Sequence, residues 1–474
     1  MQPDALKTKK RAALIVATLS SFLGPFMGSS VNVALPTIGE QLQMGAVLLA
    51  WVNTAFLLAA ATFLIPFGRL GDIYGRKRIY MIGTVIFTTA SIFIANATSS
   101  GGLITFRVLQ GFGSSMIFAT GMPILISVFP VGERGRALGL SVAAVYLGLS
   151  TGPFFGGLIT EHLGWRFIFW LNLPVGLLLL TVVFVMLKGE WAEAKGAKFD
   201  LGGSLLLAAS LFLTMYGFSN LPETLAIALT TIGVIGFVGF VIYESRIAHP
   251  VVDIDLFLRN PVFAFSNLAA LINYAATTAV TFLLSFHLQK VLALSPQEAG
   301  LVLVAQPVVQ TILSPLAGRL SDRIEPRTVA SNGMALTLFG LIMLLFVDAE
   351  SSLAYIIACL AVLGFGFGFF SSPNTNAIMS SVDRRYFGVA GAMVGTMRQV
   401  GMMFSMGIVM MIMALYLGGA AIGPDNLLQF ERCMRTAFAI FGAMCFGGIF
   451  ASLARGKVHG PRPDQASPPT AGDK

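Results

Sequence analysis

Arg107 and Arg398 are cations set inside long apolar runs, and they are the natural place to look for chemistry in this chain. An unpaired arginine at the centre of a bilayer costs at least about 3 kcal/mol even on the mildest scales, so each must face protein or water. There it ties helices together through backbone carbonyls, tunes a proton site or receives a substrate. No Asp or Glu falls in the middle of any apolar run, so a cationic ligand has no evident buried counter-ion and a proton no evident buried carboxylate. The other titratable candidates are His287 and Glu298 towards one mouth and Asp72 and Asp322 towards the other; histidine changes charge nearest neutral pH.

Catalytic patterns are missing. No G-x-x-x-x-G-K-[ST] phosphate loop and no H-E-x-x-H metal helix occurs. Gly148-Leu-Ser150-Thr-Gly152 fits the G-x-S-x-G nucleophile elbow, but that elbow needs a strand-to-helix turn and this stretch lies within an apolar run. Cys359, Cys433 and Cys445 have neither metal nor redox spacing. The sequence therefore reads as a protein that is not an enzyme and needs no cofactor or metal.

The elements that must position these residues are transmembrane helices. Charged residues are 11% of 474 and apolar ones 56%, against roughly 25% charged in soluble proteins. Runs long enough to span about 30 Å of hydrocarbon lie near 12–35, 47–68, 78–97, 103–129, 136–160 and 165–187, then 201–219 and 224–243, then 261–289, 297–318, 328–347, 352–373, 387–417 and 435–453. The expected fold is an all-α polytopic membrane protein with two six-helix bundles and two inserted helices. The expected organisation is an N-terminal segment 1–11, a first bundle 12–187, a linker with two spans 188–259, a second bundle 260–454 and a tail 455–474 rich in Pro, Gly and Asp.

Charge tests this count, since each span reverses the chain. With the N-terminus inside, 24 of the 30 Lys and Arg fall on the cytoplasmic side, four on the other, and Arg107 and Arg398 within spans. Such a bias is the positive-inside pattern. The net charge of +8 thus reflects topology rather than nucleic-acid binding. The expected location is the plasma (inner) membrane with both termini cytoplasmic and the lipid bilayer as partner; the oligomeric state is left open, a monomer being the expectation.

Gly68-Arg-Leu-Gly-Asp72 ends the second run and Gly318-Arg-Leu-Ser-Asp322 the tenth, 250 residues later. A repeat between two halves suits a transporter whose halves rock about a central site. The polar span residues Asn32, Asn53, Gln110, Asn273, Gln306 and Asn374 are candidates to line that site.

Here the chain resembles the major facilitator superfamily, and within it the fourteen-span drug:proton antiporters. Gly68 through Gly75, Arg76, Lys77 and Arg78 look like the family's loop between spans 2 and 3, Arg107-Val-Leu-Gln110-Gly111 like its span 4 arginine motif. Gly148, Gly152, Pro153, Gly156 and Gly157 match the antiporter signature of span 5. The resemblance implies a cytoplasmic latch at Gly68, Asp72, Gly75, Arg76, Lys77 and Asp322, with Asp72 pairing to Arg76 or Arg134. It further implies a hinge or leak-tight seam in span 5 and proton-coupled efflux of lipophilic small molecules, for which the residues read above, Arg107, Arg398, His287 and Glu298, are the candidate coupling or cavity charges. Many relatives carry an Asp in span 1, where this chain has Met27 or Gly28. A transporter of one specific metabolite, an anionic one included, and a non-transporting membrane sensor are the alternatives.

Overall fold

The structure is a computed structural model that describes residues 3–196, 198–247, 250, 254–321, 323–382, 387–418 and 420–456. Asp322 lies outside them. In chain order the helices of the first half are α1 (Pro3–Leu42), α2 (Ala46–Tyr74), α3 (Arg76–Ala95), α4 (Ser100–Val128), α5 (Val131–His162), α6 (Arg166–Trp170) and α7 (Asn172–Met186). Then come α8 (Leu201–Ser219), α9 (Thr224–Glu244) and the short α10 (Ile254–Arg259). The second half holds α11 (Pro261–Phe286), α12 (Pro296–Leu303), α13 (Ala305–Ser321), α14 (Pro326–Leu344), α15 (Leu353–Ser380), α16 (Phe387–Leu417) and α17 (Leu427–Ala454). Fourteen stretches of helix among the described residues are long and apolar enough to cross a membrane. Phe184, Leu225, Ile235 and Phe346 are among the large apolar side chains left on the outside, as a lipid-facing surface requires.

Two of the spans are broken at prolines. Pro174 has no N–H to give to the Trp170 carbonyl, and α6 gives way to α7 at Leu171; Pro307 likewise cannot bond Leu303, and α12 gives way to α13 at Val304. The 250-residue repeat extends beyond the sequence motif. Ala46 and Pro296 begin α2 and α12 at that displacement, and so do Arg76 and Pro326 for α3 and α14. Packing repeats too: α2 lies on α4 as α13 lies on α15, and α3 on α4 as α14 on α15.

The halves meet along α2 with α16, α5 with α12 and α13, and α1 with α11. The inserted α8 rests on both α2 and α16, with Trp51 and Tyr216 rings 5.9 Å apart and Phe218 and Phe404 6.1 Å apart. Apart from its packing on α8, α9 is largely exposed along its length.

Candidate functional site

Four groups of polar side chains stand out in this framework. The first is the turn between α2 and α3. Gly75 adopts φ +116°, which a side chain would strain, and a Cβ there would lie 2.4 Å from the Glu190 carboxyl carbon. This turn leaves Arg76 buried at the start of α3, where its guanidinium donates to Asp72 Oδ1 (2.8 Å), to Ser127 Oγ (2.8 Å) and, as a fork, to both Glu193 carboxylate oxygens (2.8 and 3.0 Å). Glu190 accepts from the Lys77 backbone N–H at 2.8 Å and lies 3.8 Å from Arg78. Main chain completes the junction, with Arg76 N–H donating to Trp191 O and Ala194 N–H to Asp72 O, each 2.9 Å. The connection after α7 is therefore a strap bound across the motif. Asp72 pairs with Arg76; the Arg134 side chain lies outside what is described.

The second group surrounds Arg107. Its Nε donates to Val52 O (2.8 Å), one terminal nitrogen to Gln110 Oε1 (2.6 Å) and the other to Asn53 Oδ1 (3.5 Å), and its guanidinium stacks 4.5 Å from the centre of the Phe56 ring. Gln110 and Asn172 both donate to Ser91 Oγ, and Asn172 also reaches Met27 Sδ at 3.3 Å. The Met27 thioether thus ends a chain of polar contacts that begins at Arg107. No carboxylate pairs with Arg107 among the described residues, and it is 2% exposed. Asn53 continues the network to Asn32 (2.6 Å), whose own carbonyl accepts from Ser285 Oγ of the other half (2.8 Å).

The third group is the seam between the halves on the face opposite the α2–α3 turn. Gln289 donates to Val33 O (2.9 Å), Lys290 pairs with Glu40, and Gln297 N–H donates to Glu161 (3.0 Å). Gly148, Gly152 and Gly156 all face α1 within the first bundle; Ser30 Oγ donates to Gly152 O at 2.9 Å. The contact across the halves belongs to Pro153 and Gly157. A Cβ at Gly157 would lie 2.3 Å from Pro296 O, and one at Gly300 2.2 Å from Pro153 O, so α5 and α12 touch backbone to backbone. Below, the seam continues through Ser150 with Thr311 (3.0 Å) and Tyr146 with Ser314 (2.7 Å).

The last group is Arg398 in the middle of α16. It is half-buried, hydrogen-bonds to no described residue, and lies within electrostatic reach of Tyr146.

Other candidates from the sequence fall elsewhere. Glu298 is exposed and closes a capping box with Ser295 at the start of α12, which gives it a structural task. His287 is fully buried where α11 widens into a π turn, and it lies within electrostatic reach of Asp348. The Ser351 hydroxyl holds that Asp348 carboxyl below the usual carboxylate range. Asn374 donates to Ser266 O (3.0 Å) and accepts from Arg455 (2.8 Å), a buried tie within the second bundle. Arg455 is itself fully buried rather than a loop charge. Asn273 is buried and neither amide atom has a hydrogen-bond partner among the described residues, and the carbonyl of Gln306 faces Gly364 of α15. Sequence reasoning missed Glu190, Glu193, Tyr146 and Asn172.

Two pseudo-repeated helical bundles joined by a small-residue seam and holding buried cations within fourteen membrane-length helices have the architecture of a membrane carrier. Residues 17–243 and 267–473 match the Major Facilitator Superfamily, and the chain belongs to that family. It is 32% identical over 393 residues to the riboflavin transporter RibZ of Clostridioides difficile, covering 83% of this chain and 86% of that one. It is 30% identical over 413 residues to the multidrug resistance protein Stp of Mycobacterium tuberculosis, covering 85% and 76%. The fold is similar to the crystal structure of a bacterial homolog of the human lysosomal transporter Spinster, with a TM-score of 0.66, 16% identity and coverage of 96% and 98%.

Proposed function

We propose that this transporter exports lipophilic small molecules in exchange for protons by alternating access. The observation that carries the reading is the backbone contact of Pro153 and Gly157 with α12. That contact supports a role for these two residues of the span 5 signature in the opening and closing of the seam. Likeness to a multidrug resistance protein supports export. Likeness to a riboflavin transporter favours the second reading, in which one specific metabolite is carried. In this scheme the α2–α3 turn with its strap is the latch, Arg107 with Gln110, Asn53 and Asn32 couples the first bundle to the seal, and His287 beside Asp348 is a candidate proton site.

Proteoliposomes loaded with a panel of dyes and antibiotics test it. An imposed pH gradient is expected to drive uphill movement of several unrelated compounds, with mutual competition. Flux indifferent to the gradient would remove proton coupling, and competition by one compound alone would favour the specific carrier.

The same reading puts the α2–α3 turn and the α13–α14 turn in the cytoplasm. Single cysteines replacing the exposed Arg78 and Arg323 should both resist a membrane-impermeant maleimide added outside intact cells and both react in inverted vesicles. A cysteine at exposed Glu350 should do the reverse. The native Cys359, Cys433 and Cys445 are buried, so background labelling is low. Opposite labelling of positions 78 and 323 would break the two-bundle scheme.

A further inference from the structure

We propose that Arg398 and Tyr146 form the two sides of an anion-receiving site that spans the halves, and that the molecules it takes are amphipathic monoanions, an aromatic or apolar body carrying one carboxylate. This rests on the transporter reading above and names its substrate class.

The argument begins with what Arg398 lacks. Arg76, Arg107 and Arg455 each direct their donors at named acceptors, which accounts for their burial. Arg398 donates to no described residue, although it is half-buried and lies twelve residues into a 31-residue helix, far from both ends. A guanidinium has five N–H donors in a fixed fork matched to a carboxylate. At mid-bilayer such a group is tolerated when it faces protein or a watered crevice, and it then offers an incoming anion an unshared partner.

Its surroundings fit an anion with an aromatic body. Tyr146 comes from α5 in the other half, and its hydroxyl sits 2.7 Å from Ser314 and within reach of Ser371. Tyr274, also within electrostatic reach of Tyr146, meets the Phe367 ring edge to face with centroids 5.2 Å apart. The hydroxyls supply neutral donors and the rings supply apolar faces. Every described Asp and Glu lies near a helix end or in a connection, so no mid-span acid repels an anion or competes for Arg398. A carboxylate held between Arg398 and Tyr146 would contact both bundles at once, as rocking about a shared ligand demands.

The test is equilibrium binding to purified full-length protein, using radiolabelled aryl carboxylates from naphthoate to anthracene size, each matched with its neutral methyl amide. Tetraphenylphosphonium serves as the lipophilic cation. Wild type is expected to bind at least one carboxylate tenfold or more tighter than its amide. Arg398→Gln should erase that preference while changing amide affinity less than twofold, Arg398→Lys should keep part of it, and Tyr146→Phe should weaken the carboxylate three- to fivefold. Retained amide binding certifies that the variants are folded. The proposal is overturned if wild type binds carboxylates and amides equally or binds neither at millimolar concentration. Tighter binding of the phosphonium, or a preference that survives Arg398→Gln, overturns it too. Anion-selective binding without proton-driven flux would sink the exporter reading alone, whereas proton-driven flux without anion preference would sink this site alone.

Discussion

Gly157→Val is expected to leave the protein inserted and folded but to open the face opposite the α2–α3 turn. A Cβ at residue 157 would lie 2.3 Å from the Pro296 carbonyl and 3.0 Å from Gln297 Cα, and both are backbone atoms that cannot rotate aside. The only relief is to part α5 from α12, which loosens the Gln297 bond to Glu161 as well. Overpacking of this kind costs about 1–3 kcal/mol. Because the clash exists only while the bundles are closed on that face, the whole cost falls on the sealed state, a shift of roughly 5- to 150-fold in the equilibrium. Gly28 is a suitable reporter, since a Cβ there meets nothing within 4 Å. A cysteine at Gly28 should react slowly with an impermeant maleimide from the Gln297 side in an otherwise wild-type chain, and at least fivefold faster with Gly157→Val. Gly152→Val is the control. Its Cβ would strike Ser29 and Phe26 O within the first bundle, so it should lower folded yield without changing accessibility in what does fold. Equal labelling rates with and without Gly157→Val would remove the seam from this role.

The contrast between these glycines also shows what the sequence could and could not carry. Four-residue spacing of Gly148, Gly152 and Gly156 announces a helix face built for close approach, and the structure finds it. Spacing says nothing about which helix approaches, and that helix is α1 of the same bundle rather than the opposite half. The 250-residue repeat was legible because duplication preserves helix starts, and the breaks at Leu171 and Val304 follow from Pro174 and Pro307 once the helices are drawn. Polar residues within spans announced a need for partners without naming them. Asn53 and Gln110 found Arg107, whereas Asn374 found Arg455, the first residue of the stretch that the sequence reads as a tail. Glu190 and Glu193 gave no signal at all. They sit in an aperiodic connection, and their partners Lys77 and Arg76 are more than a hundred residues earlier, so only the folded chain brings them together.

Those two acids give the second large effect. Arg76 is 9% exposed and has three acceptors, Asp72, Ser127 and Glu193. Arg76→Ala strips all three at once and leaves Asp72 beside two glutamates with no buried cation between them. Charge-assisted bonds contribute about 1.5–3 kcal/mol each when well shielded, but Glu193 is 66% exposed along its side chain and Asp72 34%, so screening by solvent reduces the sum to about 2 kcal/mol. Turnover should therefore fall more than tenfold, and protease sensitivity of the strap around Trp191 should rise. Glu193→Gln keeps Asp72 and Ser127 on the arginine and should cost only two- to threefold. The double variant separates a strap from a simple basic loop. If Glu193 acts through Arg76, adding Glu193→Gln to Arg76→Ala should do nothing further to turnover or to cleavage. Additive losses would mean that Glu193 acts elsewhere, and unchanged cleavage in Arg76→Ala would mean that the strap is held by its main-chain bonds to Arg76 and Asp72 alone.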